Sequence, residues 1–243
     1  MAKANKITGE RDAIFAVAVG TNGTGKTTYW KQFLGFNKRN LIIPANRSDS
    51  TKAWGHVKEI PVDAILKKVT GLGPLDWELL DDKKHRELRQ QLLIYMGKVF
   101  RAIDGNAKIV LNQRNKVLFD CIIHDELGFT NGGLFFDDFK NYIPAYNPPG
   151  NVIQMLSDRR HKGVDMFLAT HSPNKIPAPF FDYGPQLVVF KTTRSFETAK
   201  EKIELSLYNE LVAAQQRINR QGLPPKGNGP RIGPYEVITI PEQ

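Results

Sequence analysis

Residues 16–30 read AVAVGTNGTGKTTYW, and the spacing inside this stretch governs how the rest of the chain is read. Gly20 and Gly25 stand five residues apart, and Lys26 and Thr27 follow at once. This is the Gly-x-x-x-x-Gly-Lys-Thr spacing of a phosphate-binding P-loop. Each position has a chemical reason. The glycines let the backbone curl, so that amides along Gly20, Thr21, Asn22, Gly23, Thr24 and Gly25 turn inward toward phosphate oxygens. Lys26 reaches the outer phosphates, and the Thr27 hydroxyl, with Thr28 beside it, is placed for Mg²⁺. A helix starting near Gly25 aims its positive end at the same anion. Upstream, residues 14–19 read IFAVAV, an apolar run suited to a strand buried on both faces. Downstream, Tyr29, Trp30 and Phe33 fall at helical spacing. Strand, loop and helix in that order are what the motif requires.

The chain has 243 residues, enough for one α/β domain with attachments. Its 34 basic residues exceed its 25 acidic ones, and the net charge of +9 favours an anionic partner, with nucleic acid the leading candidate. Cys121 is the only cysteine, so no disulfide framework forms within the chain. No apolar run approaches the ~18 residues of a membrane span, and the first twelve residues lack the apolar core of a signal peptide. These features predict a cytoplasmic location, with no direct insertion into a membrane.

A pass along the chain predicts a short strand at residues 40–45 and a long helix over 76–103. Strands follow at 107–111 and 117–125, then a short helix at 137–142 and a proline-rich loop, IPAYNPPGN. A helix over 152–162, strands at 164–170 and 187–192, and a helix over 207–220 complete the first 220 residues. The stretch QGLPPKGNGPRIGP reads as a linker, and YEVITI has strand propensity. Strands alternating with helices predict a three-layer α/β domain with a mostly parallel sheet. The P-loop domain is taken as residues 1–207, and residues 208–243 as a C-terminal helix, linker and strand-like arm. That arm either pairs within its own sheet or reaches a neighbouring subunit.

Ligands of such sheets bind beyond the carboxyl ends of the strands. Gly20, Asp125 and Thr170 are all expected there. Residues 118–126, LFDCIIHDE, end an apolar run in two acids. Asp125 is the expected Mg²⁺ ligand, and Glu126 the expected base that activates an attacking water. Residues 167–173, FLATHSP, place Thr170 and His171 after another strand, with His171 a candidate sensor of the phosphates. Arg159 and Arg160, in SDRRHKG, are candidates for an arginine finger given to a neighbouring subunit, with Arg160 preferred and Arg194 a weaker alternative.

The motifs GTNGTGKT, CIIHDE and RRHKGVDMFLATHSP, in that order, resemble the FtsK/HerA superfamily of P-loop ATPases. The last is especially similar to viral genome-packaging ATPases and to Zot-like assembly ATPases of filamentous phages. The resemblance implies a RecA/ASCE-like fold and ATP with Mg²⁺ as cofactors. It also implies DNA as partner, a ring of identical subunits, expected to be a hexamer, and capsid or membrane-embedded vertex proteins as contacts. In a viral setting the location becomes the host cytoplasm, with virion association. Lys26 and Thr27 would hold phosphate and Mg²⁺, Asp125 Mg²⁺, and Glu126 the proton. The sensor strand of this group usually ends in Thr-Gln, where this chain has Thr170-His171. Absence of a membrane segment or a DNA-reading domain favours a packaging ATPase over a Zot-like extrusion or conjugation-type transfer ATPase. From other classes, a nucleotide-dependent switch or a small-molecule kinase stays open. Residues 174–177, NKIP, lack the Asp of a guanine reader.

Overall fold

Phe15–Val19 is a run of five buried residues, and it forms the strand β1 that leads into the P-loop. The computed structural model describes residues 13–45, 52–71, 82–111, 117–223 and 232–242. The expectations for residues 1–12, for the start of the long helix before Asp82 and for the middle of the Pro/Gly-rich linker lie outside them. After β1 come α1 (Lys26–Lys31), β2 (Arg39–Ile43), β3 (Lys58–Glu59), α2 (Val62–Thr70) and α3 (Asp82–Arg101). Then follow β4 (Gly105–Lys108), α4 (Val117–Ile122), β5 (Gly132–Phe136), α5 (Gly150–Asp158) and β6 (Val164–Thr170). The chain continues through β7 (Gln186–Phe190), α6 (Glu197–Lys200), α7 (Leu205–Arg220) and β8 (Tyr235–Thr239).

The eight strands form one sheet in the order β3-β4-β2-β5-β6-β1-β7-β8. All neighbours are parallel except β7 and β8. Strand alternation divides the core in two. Phe15, Val17 and Val19 face a large apolar layer built with α2, α3, α4, α5 and α7. Ala16 and Ala18 face a smaller aromatic layer under α1, where Tyr29, Trp30, Trp54, Phe135, Phe167 and Phe190 meet. There the Phe135 and Phe167 rings stack at 4.5 Å. Helices on one face and α1 on the other make the three-layer α/β architecture the sequence predicts.

Several elements differ from that prediction. Residues 117–125 are not a strand: Val117–Ile122 is helix α4. The reason is Asp120. In a strand it would share a face with Leu118 and Ile122 and enter the core unpaired. In the helix, Leu118, Phe119, Cys121 and Ile122 are buried, while Asp120 reaches outward to Arg89 of α3 at 2.8 Å. The missing strand is β5, GGLFF, which is buried throughout. Its glycines resemble a turn in the sequence, but β2 runs so close that a Cβ at Gly133 would lie 2.3 Å from Asn40 Oδ1. The short helix expected at 137–142 is a single 3-10 turn, Phe139–Asn141.

The C-terminal strand β8 pairs antiparallel with this chain's own β7, from Gln186↔Thr239 to Phe190↔Tyr235. Among the described residues, no helix is long and apolar enough to cross a membrane.

Candidate functional site

The P-loop sits at the carboxyl end of the sheet, tied to two neighbouring strands. Gly20 N donates to Thr170 O at 3.2 Å, and Thr21 N donates to Lys191 O at 2.9 Å. A Cβ at Gly20 would stand 2.5 Å from Phe190 Cβ, so the first motif glycine is required for close packing as well as for curvature. Gly25 adopts φ 95° and caps α1. Thr24 is buried, and its hydroxyl donates to Thr21 O at 2.9 Å.

Lys26 is buried under the loop. Its Nζ donates to Gly20 O at 2.6 Å and to Thr21 O at 3.0 Å. Burial lowers the ammonium pKa to about 8, against the opposing pull of the Asp137 and Asp138 charges. The ammonium therefore rests on two loop carbonyls, a neutral substitute for phosphate oxygens.

The partners across the sheet are Asp137 and Asp138, which directly follow β5. The Thr27 hydroxyl donates to Asp137 Oδ2 at 3.0 Å. Asp138 is buried with φ 66°. His171 Nε2 lies 3.3 Å from Asp138 Oδ2, and His171 Nδ1 lies 3.4 Å from Lys26 Nζ. His171 thus stands between Lys26 and Asp138, with one ring nitrogen toward each. Burial pushes the Asp138 carboxyl up, but the hydrogen bond and charge of His171, with Lys140, outweigh it and hold it below the usual range. The result is a chain Lys26–His171–Asp138 beside the pair Thr27–Asp137.

Asp125 and Glu126 are not part of this site. Asp125 pairs with Lys162 at 2.8 Å, and the hydrogen bond and charge of that lysine hold its carboxyl below the usual range. Lys162 precedes β6, whereas the P-loop contacts Thr170 at the end of that strand. Seven residues of strand separate the two positions by ~20 Å. Glu126 is exposed in the turn after α4, where its amide donates to His124 Nδ1 at 3.2 Å. The sequence carried the correct signal a few residues on, because LFFDDF, residues 134–139, also ends an apolar run in two acids.

The two arginines separate in role. Arg159 is 3% exposed, and its guanidinium donates to Leu156 O at 2.7 Å and to Tyr183 O at 3.1 Å. Such a side chain is structural and is not available to a neighbouring subunit, which corrects one of the two finger candidates. Arg160 is 46% exposed and pairs with Glu242. It stands at the amino end of β6, far from its own P-loop. Arg194 is exposed past β7, and its amide donates to Thr192 Oγ1 at 3.3 Å.

The donor set fits a nucleoside triphosphate with Mg²⁺. A hydroxyl and a carboxylate 3.0 Å apart are hard oxygen ligands of the kind Mg²⁺ takes when it keeps most of its water. The Lys26 ammonium beside them suits the outer phosphates.

No protein-family model matches the sequence, nor does any curated protein. Solved structures do match. The DNA-packaging ATPase B204 of Sulfolobus turreted icosahedral virus superposes with a TM-score of 0.54 at 13% identity, covering 94% of this chain and 98% of that one. The genome-packaging NTPase B204 of Sulfolobus turreted icosahedral virus 2, in complex with sulfate, gives 0.55 at 10% identity, over 93% and 96%. The same NTPase with AMPPCP gives 0.52 at 11%, over 83% and 87%. The chain shares the fold of these P-loop packaging NTPases over most of its length.

Proposed function

We propose that the protein hydrolyses ATP and uses the energy to move DNA, as a viral genome-packaging ATPase. The observation that carries this reading is the contact of Thr27 with Asp137. It joins the end of the P-loop to the acidic end of a strand two positions away in the sheet, with β6 between them. That is the arrangement of a site for a metal-bound triphosphate. The likeness of the whole chain to packaging NTPases supports the assignment of the work done.

In this mechanism Lys26 leaves Gly20 O and Thr21 O for the outer phosphates. Thr27 and Asp137 would hold Mg²⁺, which when bound would supply charge neutralisation on the phosphate oxygens. Asp138, kept ionised by His171, accepts a hydrogen bond from the attacking water and orients it. His171 touches both Lys26 and Asp138, so it reports whether the outer phosphate is present. Arg160 neutralises charge at the site of an adjacent subunit in a ring. The DNA is held through its phosphates without base readout. Lys67 and Lys68, exposed at the end of α2, are available for this; Arg159 and Lys162 are engaged within the fold.

The test is ATP turnover by the purified chain with Mg²⁺, with and without double-stranded DNA, beside Lys26→Ala and Asp137→Asn. Turnover that DNA stimulates and that both substitutions abolish supports the motor. DNA-independent phosphate transfer to a small molecule would instead establish a kinase.

A further inference from the structure

The candidate finger Arg160 does not point freely into solvent: it is held by the penultimate residue of the chain. Glu242 pairs with Arg160 and also lies 3.7 Å from the buried Arg159 guanidinium. Its backbone is fixed in turn. Glu242 forms a β-bridge with Tyr183, and Ile240 N donates to Pro185 O at 3.0 Å. A cleft of about 320 Å³ opens beside the pair, lined by Phe15, Arg159, Arg160, Gln186, Thr239 and Glu242.

The same segment is attached to the P-loop at its other end. Gly233 N donates to Thr24 O at 2.9 Å. Two residues on, the Tyr235 ring packs 4.7 Å from Tyr29 of α1 and 5.4 Å from Phe190. Between these anchors β8 runs the length of β7. Nine residue steps of extended chain, ~30 Å, thus join the phosphate loop to the arginine at the opposite end of the sheet.

We propose that Glu242 is the positioning residue of Arg160, and that the strand bearing it couples the position of this arginine to occupancy of the subunit's own P-loop. The inference rests on the reading of that loop as a triphosphate site. An exchange of partners is energetically easy, because a half-exposed ion pair is screened by solvent and contributes little to stability. A phosphate of a neighbouring subunit's nucleotide competes well against such a pair. When a triphosphate draws Lys26 away from Gly20 O and Thr21 O, the loop is released from its internal bonds and Thr24 shifts with it. Gly233 transmits the shift to β8, and the Glu242–Arg160 pair opens. Each subunit then presents its arginine only after it has bound its own nucleotide.

The experiment reads Arg160 directly. Full-length protein is treated with phenylglyoxal, and modification of the Arg160 peptide is timed by mass spectrometry, with and without AMPPCP and Mg²⁺. In the free protein, Glu242→Gln is expected to raise the rate several-fold, and Glu242→Asp to fall between it and the unaltered chain. AMPPCP is expected to raise the rate in the unaltered chain. In Gly233→Pro, which removes the amide donor to Thr24, AMPPCP is expected to have no effect on it. Equal rates in the unaltered chain and Glu242→Gln overturn the positioning role, whether or not nucleotide binds. AMPPCP binding, read by displacement of a fluorescent ATP analogue, without any change at Arg160 overturns the coupling. Failure of AMPPCP to bind the unaltered chain overturns the triphosphate reading and the coupling together, while the comparison in free protein still decides the role of Glu242.

Discussion

At pH 9 most of the Lys26 side chain has lost its proton, because burial lowers its pKa to about 8 in the nucleotide-free protein. A triphosphate restores the charge, so binding above pH 8 takes up a proton. Calorimetry in buffers of different ionisation enthalpy is expected to show uptake approaching one proton at pH 9 and none at pH 6.5. The affinity should fall by up to ~10-fold per pH unit above 8. For folding the sign is separate. Between pH 8 and 10.5 the unfolded chain binds more protons at Lys26 than the folded one, so the cost of burying this ammonium is relieved as pH rises through that window. Among the carboxylates the expectation for Asp137 is opposite to that for Asp125 and Glu126. Asp137→Asn should lower kcat by ~10²-fold or more, because a metal ligand is lost. Asp125→Asn and Glu126→Gln should leave kcat within about twofold, since both residues stand at the wrong end of the sheet.

At the scale of elements, the aromatic layer beneath α1 supports the P-loop helix, and Phe167 is at its centre. Its ring is fully buried, stacks on Phe135 and meets Trp30 at 5.4 Å. Phe167→Ala is expected to cost ~3–5 kcal/mol in denaturant unfolding, by opening a cavity in that layer. The elements also show why the sequence was readable in some places and not in others. The P-loop is legible because its chemistry fixes residue types at fixed spacing, and β6 because VDMFLAT is largely apolar and follows Gly163, its one acid, Asp165, accepting from Ile14 N and Asn37 Nδ2. The acidic strand was misplaced because the chain holds two apolar runs that end in paired acids. Residues 118–126 and 134–138 both fit that pattern, and the two glycines that open β5 weaken its strand signal. Asp120, inside the first run, was the overlooked signal, since a strand buried on both faces has no place for an unpaired carboxylate. The Gly133 contact with Asn40 depends on β2 being adjacent, and no local pattern reveals that.

For the whole molecule, the net charge of +9 is the relevant quantity. DNA affinity should fall linearly in log–log form with salt, with a slope of about −0.9 per phosphate neutralised, and should vary little with sequence. Arg160→Ala should keep nucleotide binding and assembly, yet lose ~10³-fold or more in turnover. That loss should be complementable: mixing Arg160→Ala with Lys26→Ala subunits should restore part of the activity, because each supplies what the other lacks. Retention of full turnover by Arg160→Ala alone removes the arginine from the mechanism.

The two borders of the sheet offer different surfaces to another molecule. At one border β8, the only reversed strand among the described residues, lies against β7 and carries Glu236 in a pair with Arg217 at 2.5 Å. At the other, β3 is two residues long, and Lys58 and Glu59 are both exposed. The short, charged β3 border is a poor template for main-chain pairing between molecules, whereas β8 is five residues long and exposes Tyr235 and Val237. Contacts made by another copy on the β3 side would therefore run through side chains and loops rather than through one continuous main-chain ribbon.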